Sequence, residues 1–173
     1  TMQEPRHGNP NRPSATVSTR SSAPRDSRGG SGGDYRDRNR DEPTLVTSKI
    51  VFAPLDADLF NGVARQVAET IAENRNANKP SQVRKFYDEL CLWETKVNQD
   101  AEKAERFAEC LPFILMLNAK VAYAKGRRLV DANFVKLIGD SLKQVKDPDT
   151  LRLCKLFFEA FLGFYKELRP SDK

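Results

Sequence analysis

The chain has 173 residues, 39% of them hydrophobic and 31% charged, with a net charge of +5 at pH 7, three cysteines and one histidine. A balance this mildly basic excludes a histone-like polycation, so the placement of the cations matters more than their sum. Three scattered cysteines exclude a disulfide framework and a Cys-x-x-Cys metal site, and His7 alone supports neither a histidine-based triad nor a histidine metal cluster.

Residues 1–43 hold five Pro, five Gly and eight Arg but no Phe, Leu or Ile. So little apolar surface cannot offset the entropy of ordering, which predicts a disordered Arg/Gly/Pro-rich tail. Its end, SRGGSGGDYRDRNRDEP, is similar to RGG segments that bind RNA weakly, although the interleaved charges equally describe a solvated linker. Residues 44–52 (TLVTSKIVF) have strand-like composition without a partner strand, and the expectation for 44–53 is an extended arm lying on helices.

From Pro54 to Lys173 the apolar period is helical, and this stretch is large enough for one continuous core. The first helix is expected over 58–77, with Leu59, Val63, Val67 and Ile71 on one stripe, Phe60 and Ala64 beside it, and Asp56 or Asp58 as the cap. A second helix starts at Pro80 or Ser81 and carries Val83, Phe86, Tyr87, Leu90, Trp93 and Val97. After a polar stretch from Asn98 to Arg106, the residues Phe107, Leu111, Ile114, Leu115, Val121 and Ala122 mark a long helix. Pro112 would kink or split it and Gly126 would cap its end. Asp131 opens a short helix with Phe134, Leu137, Ile138 and Leu142. Asp147-Pro148 starts the last one, which presents Leu151, Cys154, Phe157, Phe158, Phe161, Leu162, Tyr165 and Leu168. The prediction is an all-α compact bundle of five to six helices, with successive helices mainly antiparallel. Neither a run approaching the ~20 residues of a membrane span nor a signal-peptide core is expected, and unpaired thiols suit a reducing cytoplasm.

Catalytic chemistry has no visible seat. Gly62, Gly126, Gly139 and Gly163 are isolated, so there is no phosphate loop. Asp56 with Asp58, and Asp147 with Asp149, stand at helix starts and read as caps. Glu89, Glu94, Glu102, Glu105 and Glu109 have helical spacing to cations and read as a solvated, paired face. No enzyme activity, metal, cofactor, small-molecule substrate or membrane partner is expected.

Two basic constellations remain. Lys79, Arg84 and Lys85 gather at the start of the second helix, where free N–H groups already favour phosphate, and Ser81 and Gln82 add neutral donors. Cations there are mildly unfavourable for the helix itself, so another use is implied, with ordinary surface charge as the alternative. The second constellation is Lys120, Lys125, Arg127 and Arg128, at a helix end that favours cations in any case. Tyr123 among them is placed either to stack a base or to join the core, and Lys136, Lys143 and Lys146 continue the cationic trend. If the clusters share a face, they make a groove for single-stranded nucleic acid held mainly by phosphate contacts; no recognition helix for the major groove is present.

The segments SQVRKFYDEL, LPFILMLNAKVAYAKGRRLV and DPDTLRLCKLFFEAFLGFYKEL, in this order, resemble the small helical subunit of the type III-A CRISPR effector, the Csm complex. The resemblance runs from about Pro54 to Leu168, and AKVAYAKGR is its most diagnostic part. It implies a subunit without nuclease activity that stacks with its own copies into an inner filament, beside the crRNA-bearing backbone subunits and the large signature subunit. Its basic face would line the channel where target RNA pairs with crRNA, with sequence read by the guide. Ser81, Gln82, Arg84 and Lys85 match the S-Q-x-R-K entry of the family's second helix, and Lys120 with the stretch 125–128 matches its A-K-x-x-Y-x-x-x-R region. The implied function is therefore RNA binding in an antiviral ribonucleoprotein. A stand-alone helical RNA-binding protein and a purely structural helical oligomer are the alternatives.

Overall fold

The structure, a computed structural model, describes residues 42–170, so the expected tail lies outside the described residues. No strand occurs among them, and six helical segments form an all-α bundle. Asp58 caps a π-helical turn, Leu59–Val63, which runs straight into α1, Ala64–Ala72. Then come α2 (Pro80–Asn98), α3 (Lys103–Leu115), α4 (Leu117–Gly126), α5 (Ala132–Leu142) and α6 (Pro148–Leu168).

The π turn corrects the expected stripe of the first helix. The wider turn sets the phase back by one residue, so Ala64 and not Val63 follows Leu59 into the core, then Val67, Ala68, Ile71 and Ala72. Gly62 makes the turn possible. The Asp58 carboxylate accepts its N–H at 3.0 Å, and a Cβ at that position would lie 2.3 Å from the same carboxylate. The helix also stops at Ala72, five residues before the expected Ala77. Asn74 closes a side-chain turn on the Asn76 N–H (3.1 Å), the local competition by which Asn ends helices.

Lacking an N–H, Pro112 cannot continue the helical ladder back to Ala108, and the regular helix is interrupted four residues on, at Met116. α3 and α4 are thus two segments of one helical run interrupted only at Met116, across which the Met116 N–H still reaches the Pro112 carbonyl (3.1 Å). Its buried seam is Phe107, Cys110, Ile114, Leu117, Val121 and Ala124, whereas the expected core residues Leu115 and Ala122 are exposed. Lys103–Gly126 is a 24-residue run long and apolar enough to cross a membrane by length and composition, where no such run was expected. Here its seam packs in the bundle, and Lys120, toward its end, pairs with Glu89 of α2. Gly126 is the last residue of α4 and not its cap. Arg127 follows α4, and the left-handed conformation falls on Arg128 (φ 59°).

α6 is the spine. It packs against α1 and α2, and α1 has α6 and not its chain neighbour α2 as its main partner, unlike the expected succession of antiparallel neighbours. A capping box between Asp147 and Thr150 starts α6, and the buried Phe157, Phe158, Phe161 and Tyr165 form a chain of ring contacts along it. Phe52 extends that chain from the arm (6.2 Å to Phe157), and Phe86 of α2 meets Phe134 of α5 edge-on at 5.4 Å. Burial pushes the Cys154 thiol in this core up to about 12.

Residues 44–52 run without regular structure and bury Leu45, Ile50 and Phe52. Side chains of α5 and of the loop after it supply the hydrogen bonds a sheet would have given. Asn133 Oδ1 accepts from the Thr44 and Leu45 N–H groups (2.7 and 2.9 Å), and Gln144 pairs with the Phe52 N–H and the Ile50 carbonyl. The Thr47 hydroxyl donates to Asp140 at 2.7 Å, beside Lys136 (2.8 Å) and Lys143 (2.9 Å).

The loops at one end of the bundle meet on Asn78, which is fully buried in a left-handed conformation (φ 55°). Its N–H donates to the Leu129 carbonyl (3.0 Å), its Oδ1 accepts from the Asp131 N–H (2.9 Å), and its Nδ2 donates to the Ile71 carbonyl (3.3 Å). Its own carbonyl accepts from the Tyr165 hydroxyl and from the buried Arg169 (3.3 Å), whose guanidinium also binds the carbonyls of Asn74, Arg75 and Ala77.

Asn78→Ala leaves the Asp131 N–H and the Ile71 carbonyl unpaired and strains the left-handed backbone. The expected loss is about 2–4 kcal/mol in urea unfolding, with Asn78→Gly losing less because only the side-chain bonds disappear. Burial alone would raise Asp140, but hydrogen bonds from Lys136, Thr47 and Lys143 hold it well below its ordinary 3.8. Its contribution is complete above that value and is lost as the pH falls beneath it. Asp140→Asn at neutral pH, or acidification of the native protein, should therefore loosen the arm, read as several-fold faster proteolysis at the exposed Lys49.

Candidate nucleic-acid interface

Pro80 opens α2 with a fixed φ that suits a first helical turn, and Lys79 precedes it in extended conformation without a side-chain cap. The Ser81 side of this first turn is exposed with Lys79 beside it, while the Gln82 and Val83 N–H groups already donate to the Lys79 carbonyl (2.8 and 3.1 Å). Arg84 and Lys85 follow on exposed positions of the same turn. Arg84 is held by Asp88 at 2.6 Å, which raises the guanidinium above its ordinary value, and it lies 5.4 Å from the Tyr87 ring centre. Tyr87 itself is half-buried, and burial together with Cys91 pushes its phenol up.

On α4, Lys120, Tyr123 and Arg127 stand on successive turns of one face, and the Arg127 guanidinium lies 5.7 Å from the Tyr123 ring centre. The sequence left Tyr123 open between base stacking and core; the ring is 67% exposed. Lys125 is half-buried, whereas Arg127 and Arg128 are exposed. The left-handed Arg128 turns the chain back so that Leu129 N–H caps α4 on the Ala124 carbonyl (3.0 Å).

Two contacts bring the clusters to one end of one helix pair. Glu89 of α2 pairs with Lys120 of α4, and one turn or two further on Trp93 stacks on Phe113 of α3 at 5.6 Å. Numbering rises along α2 as it falls along α3–α4, so the pair is antiparallel, and the start of α2 lies beside the end of α4. The Asn78–Leu129 hydrogen bond closes the same junction, directly preceding Lys79 and directly following Arg128. Lys79, Ser81, Gln82, Lys85, Lys120, Arg127 and Arg128 thus lie at one end of this helix pair, while Arg84 and Lys125, each five residues from the Glu89–Lys120 contact, stand roughly 140° round their helices from it. Lys79, Lys85 and Arg128 make no ion pair with other described residues, while Asp88 and Glu89 are the carboxylates within the seam.

Lys136 stands apart in its bonding. With Lys143 it is committed to Asp140, where it holds the arm through Thr47. Asp58 and Asp147 accept backbone N–H groups at helix starts, and Asp56 accepts the Asp58 N–H at 2.7 Å. Sequence reading passed over Asn78 and Arg169 as positioning residues, and saw Asp131 only as the start of a helix. The one available signal was Asn-Lys-Pro, an Asn suited to left-handed backbone just before a helix-starting proline. It also passed over an apolar strip continuing the same helix pair, where Leu92, Phe113, Leu115 and Met116 are each at least 40% exposed.

A family model described as Csm2 Type III-A matches residues 55–171 of the chain. No curated protein and no solved structure matches it.

Proposed function

The chain belongs to the Csm2 type III-A family, the small subunit of a multi-subunit CRISPR Csm complex, and from that premise we propose that it binds RNA backbone through the seam between α2 and α4. In this reading the subunit is cytoplasmic and structural, contributes no bond-breaking chemistry, and serves antiviral defence by lining the path of target RNA paired to crRNA. Its copies form the inner filament. The apolar strip at Leu92, Phe113 and Met116 contacts neighbouring subunits, having the apolar centre and charged rim of a protein interface.

One observation carries the reading: two cation clusters far apart in sequence converge across the Asn78–Leu129 and Glu89–Lys120 contacts. Phosphate competes there with Asp88 and Glu89. The side chains of Arg84 and Asp88 are more than half exposed, and surface ion pairs of that kind are worth about 0–1 kcal/mol, so exchange for phosphate is inexpensive. Contacts of this type read backbone rather than base edges, which suits a subunit whose guide supplies sequence. The residues proposed to contact RNA are Lys79, Ser81, Gln82, Arg84, Lys85, Lys120, Lys125, Arg127 and Arg128; Lys136 joins them only by exchanging its Asp140 ion pair for phosphate.

Arg84→Ala combined with Lys85→Ala should weaken single-stranded RNA binding without shifting the unfolding midpoint. Each lost phosphate contact should flatten the slope of log affinity against log salt by ~0.7. Unchanged affinity and slope in a folded double variant would remove this site.

A further inference from the structure

Tyr123 is the most exposed aromatic ring among the large hydrophobic side chains open to solvent, and it stands in the middle of the cationic seam. Helix geometry surrounds it with Lys120 and Arg127 on the turns below and above, and with the small, exposed residues Ala119 and Gly126 on the same two turns. A Cβ at Gly126 would meet nothing within 4 Å, so the space beside the ring is open. Arg127 lies near the ring and leaves most of its surface in water, whereas Tyr87, the other tyrosine of the seam, is half-buried.

We infer that Tyr123 is a stacking platform for an unpaired nucleobase, so that the seam takes single-stranded RNA, or nucleotides displaced from a duplex, in preference to a continuous duplex. This rests on the RNA-binding reading above and adds the substrate class. Phosphate contacts alone do not distinguish paired from unpaired strands, but a ring on a rigid helix does. Bases inside an A-form helix offer only edges in the groove, and a base face is accessible only when the nucleotide is unpaired or splayed out. Lys120 and Arg127 reach the phosphates flanking such a base while the ring receives its face, the combination of cation and aromatic used by single-strand binders.

The test uses the full chain with a single-stranded RNA carrying 2-aminopurine and a duplex of equal length, against wild type, Tyr123→Ala and Tyr123→Phe. Stacking predicts quenched 2-aminopurine fluorescence in wild type and Tyr123→Phe, loss of quenching in Tyr123→Ala, and roughly tenfold weaker single-strand binding in that variant alone. Duplex affinity should be equal in all three. Single-strand affinity and quenching unchanged by Tyr123→Ala would overturn the inference and leave the RNA-binding reading standing. So would an equal loss for duplex and single strand, or a Tyr123→Phe variant as weak as Tyr123→Ala, since a hydroxyl contact and not stacking would then be at work. Absence of any RNA binding by wild type at moderate salt would overturn both.

Discussion

Everything at the basic end of this bundle hangs on one buried asparagine. Asn78 must adopt a left-handed backbone to turn the chain from α1 into α2, and Asn tolerates that conformation better than other side-chain-bearing residues. Once there, it is removed from water, so each of its polar atoms needs a partner. The partners come from three separate places: the end of α1, the α4–α5 loop, and the end of α6 through Tyr165 and Arg169. A buried guanidinium satisfied by several carbonyls fixes the loop from one side, and the Leu129 and Asp131 backbone fixes it from the other. Lys79 and Arg128, each next to one end of the Asn78–Leu129 bond, are held together as a consequence.

The arrangement separates two tasks along one antiparallel helix pair. At the Asn78 end, cations outnumber the two carboxylates that engage them, and the helix N-terminus adds its own positive potential. Further along, Trp93, Phe113, Leu92 and Met116 give an apolar centre bounded by Arg106 with Asp100 and Glu109 and by Lys96 over the Trp93 ring, whose charges cancel. The Glu89–Lys120 pair marks the border between them. A strip that is mildly apolar and charge-balanced suits protein contact, and a seam with excess cations suits an anionic polymer, the two uses on which the proposed role rests.

The helical class and the main core residues were legible because α2 and α6 keep an unbroken 3.6-residue period, so Val83, Phe86 and Leu90, or Leu151, Cys154, Phe158 and Phe161, could be read directly. Where the backbone leaves that period, the reading slipped. The π turn displaced Val63 by one position; along α3 and α4 the buried seam keeps its 3–4 spacing through Ile114, Leu117, Val121 and Ala124, and the reading erred in adding the flanking Leu115 and Ala122. Gly126 has the composition of a helix end, but the chain turned on Arg128, where the Asn78 contact and not local preference decides. The cation clusters were visible as composition. Their juxtaposition was not, because Glu89–Lys120 spans 31 residues and Asn78–Leu129 more than that. For the same reason the sequence did not show that the ion pair of Lys136 with Asp140 is joined from the arm by Thr47, 93 residues away.

The most direct test of a single composite face is to crosslink bound RNA to the protein within the complex purified from its native host, and to map the attached peptides. The account predicts crosslinks in both residues 79–85 and 120–128, with the same RNA molecules, guide and target included, attached to each. Crosslinks confined to one cluster, or lying elsewhere on the bundle, would contradict it.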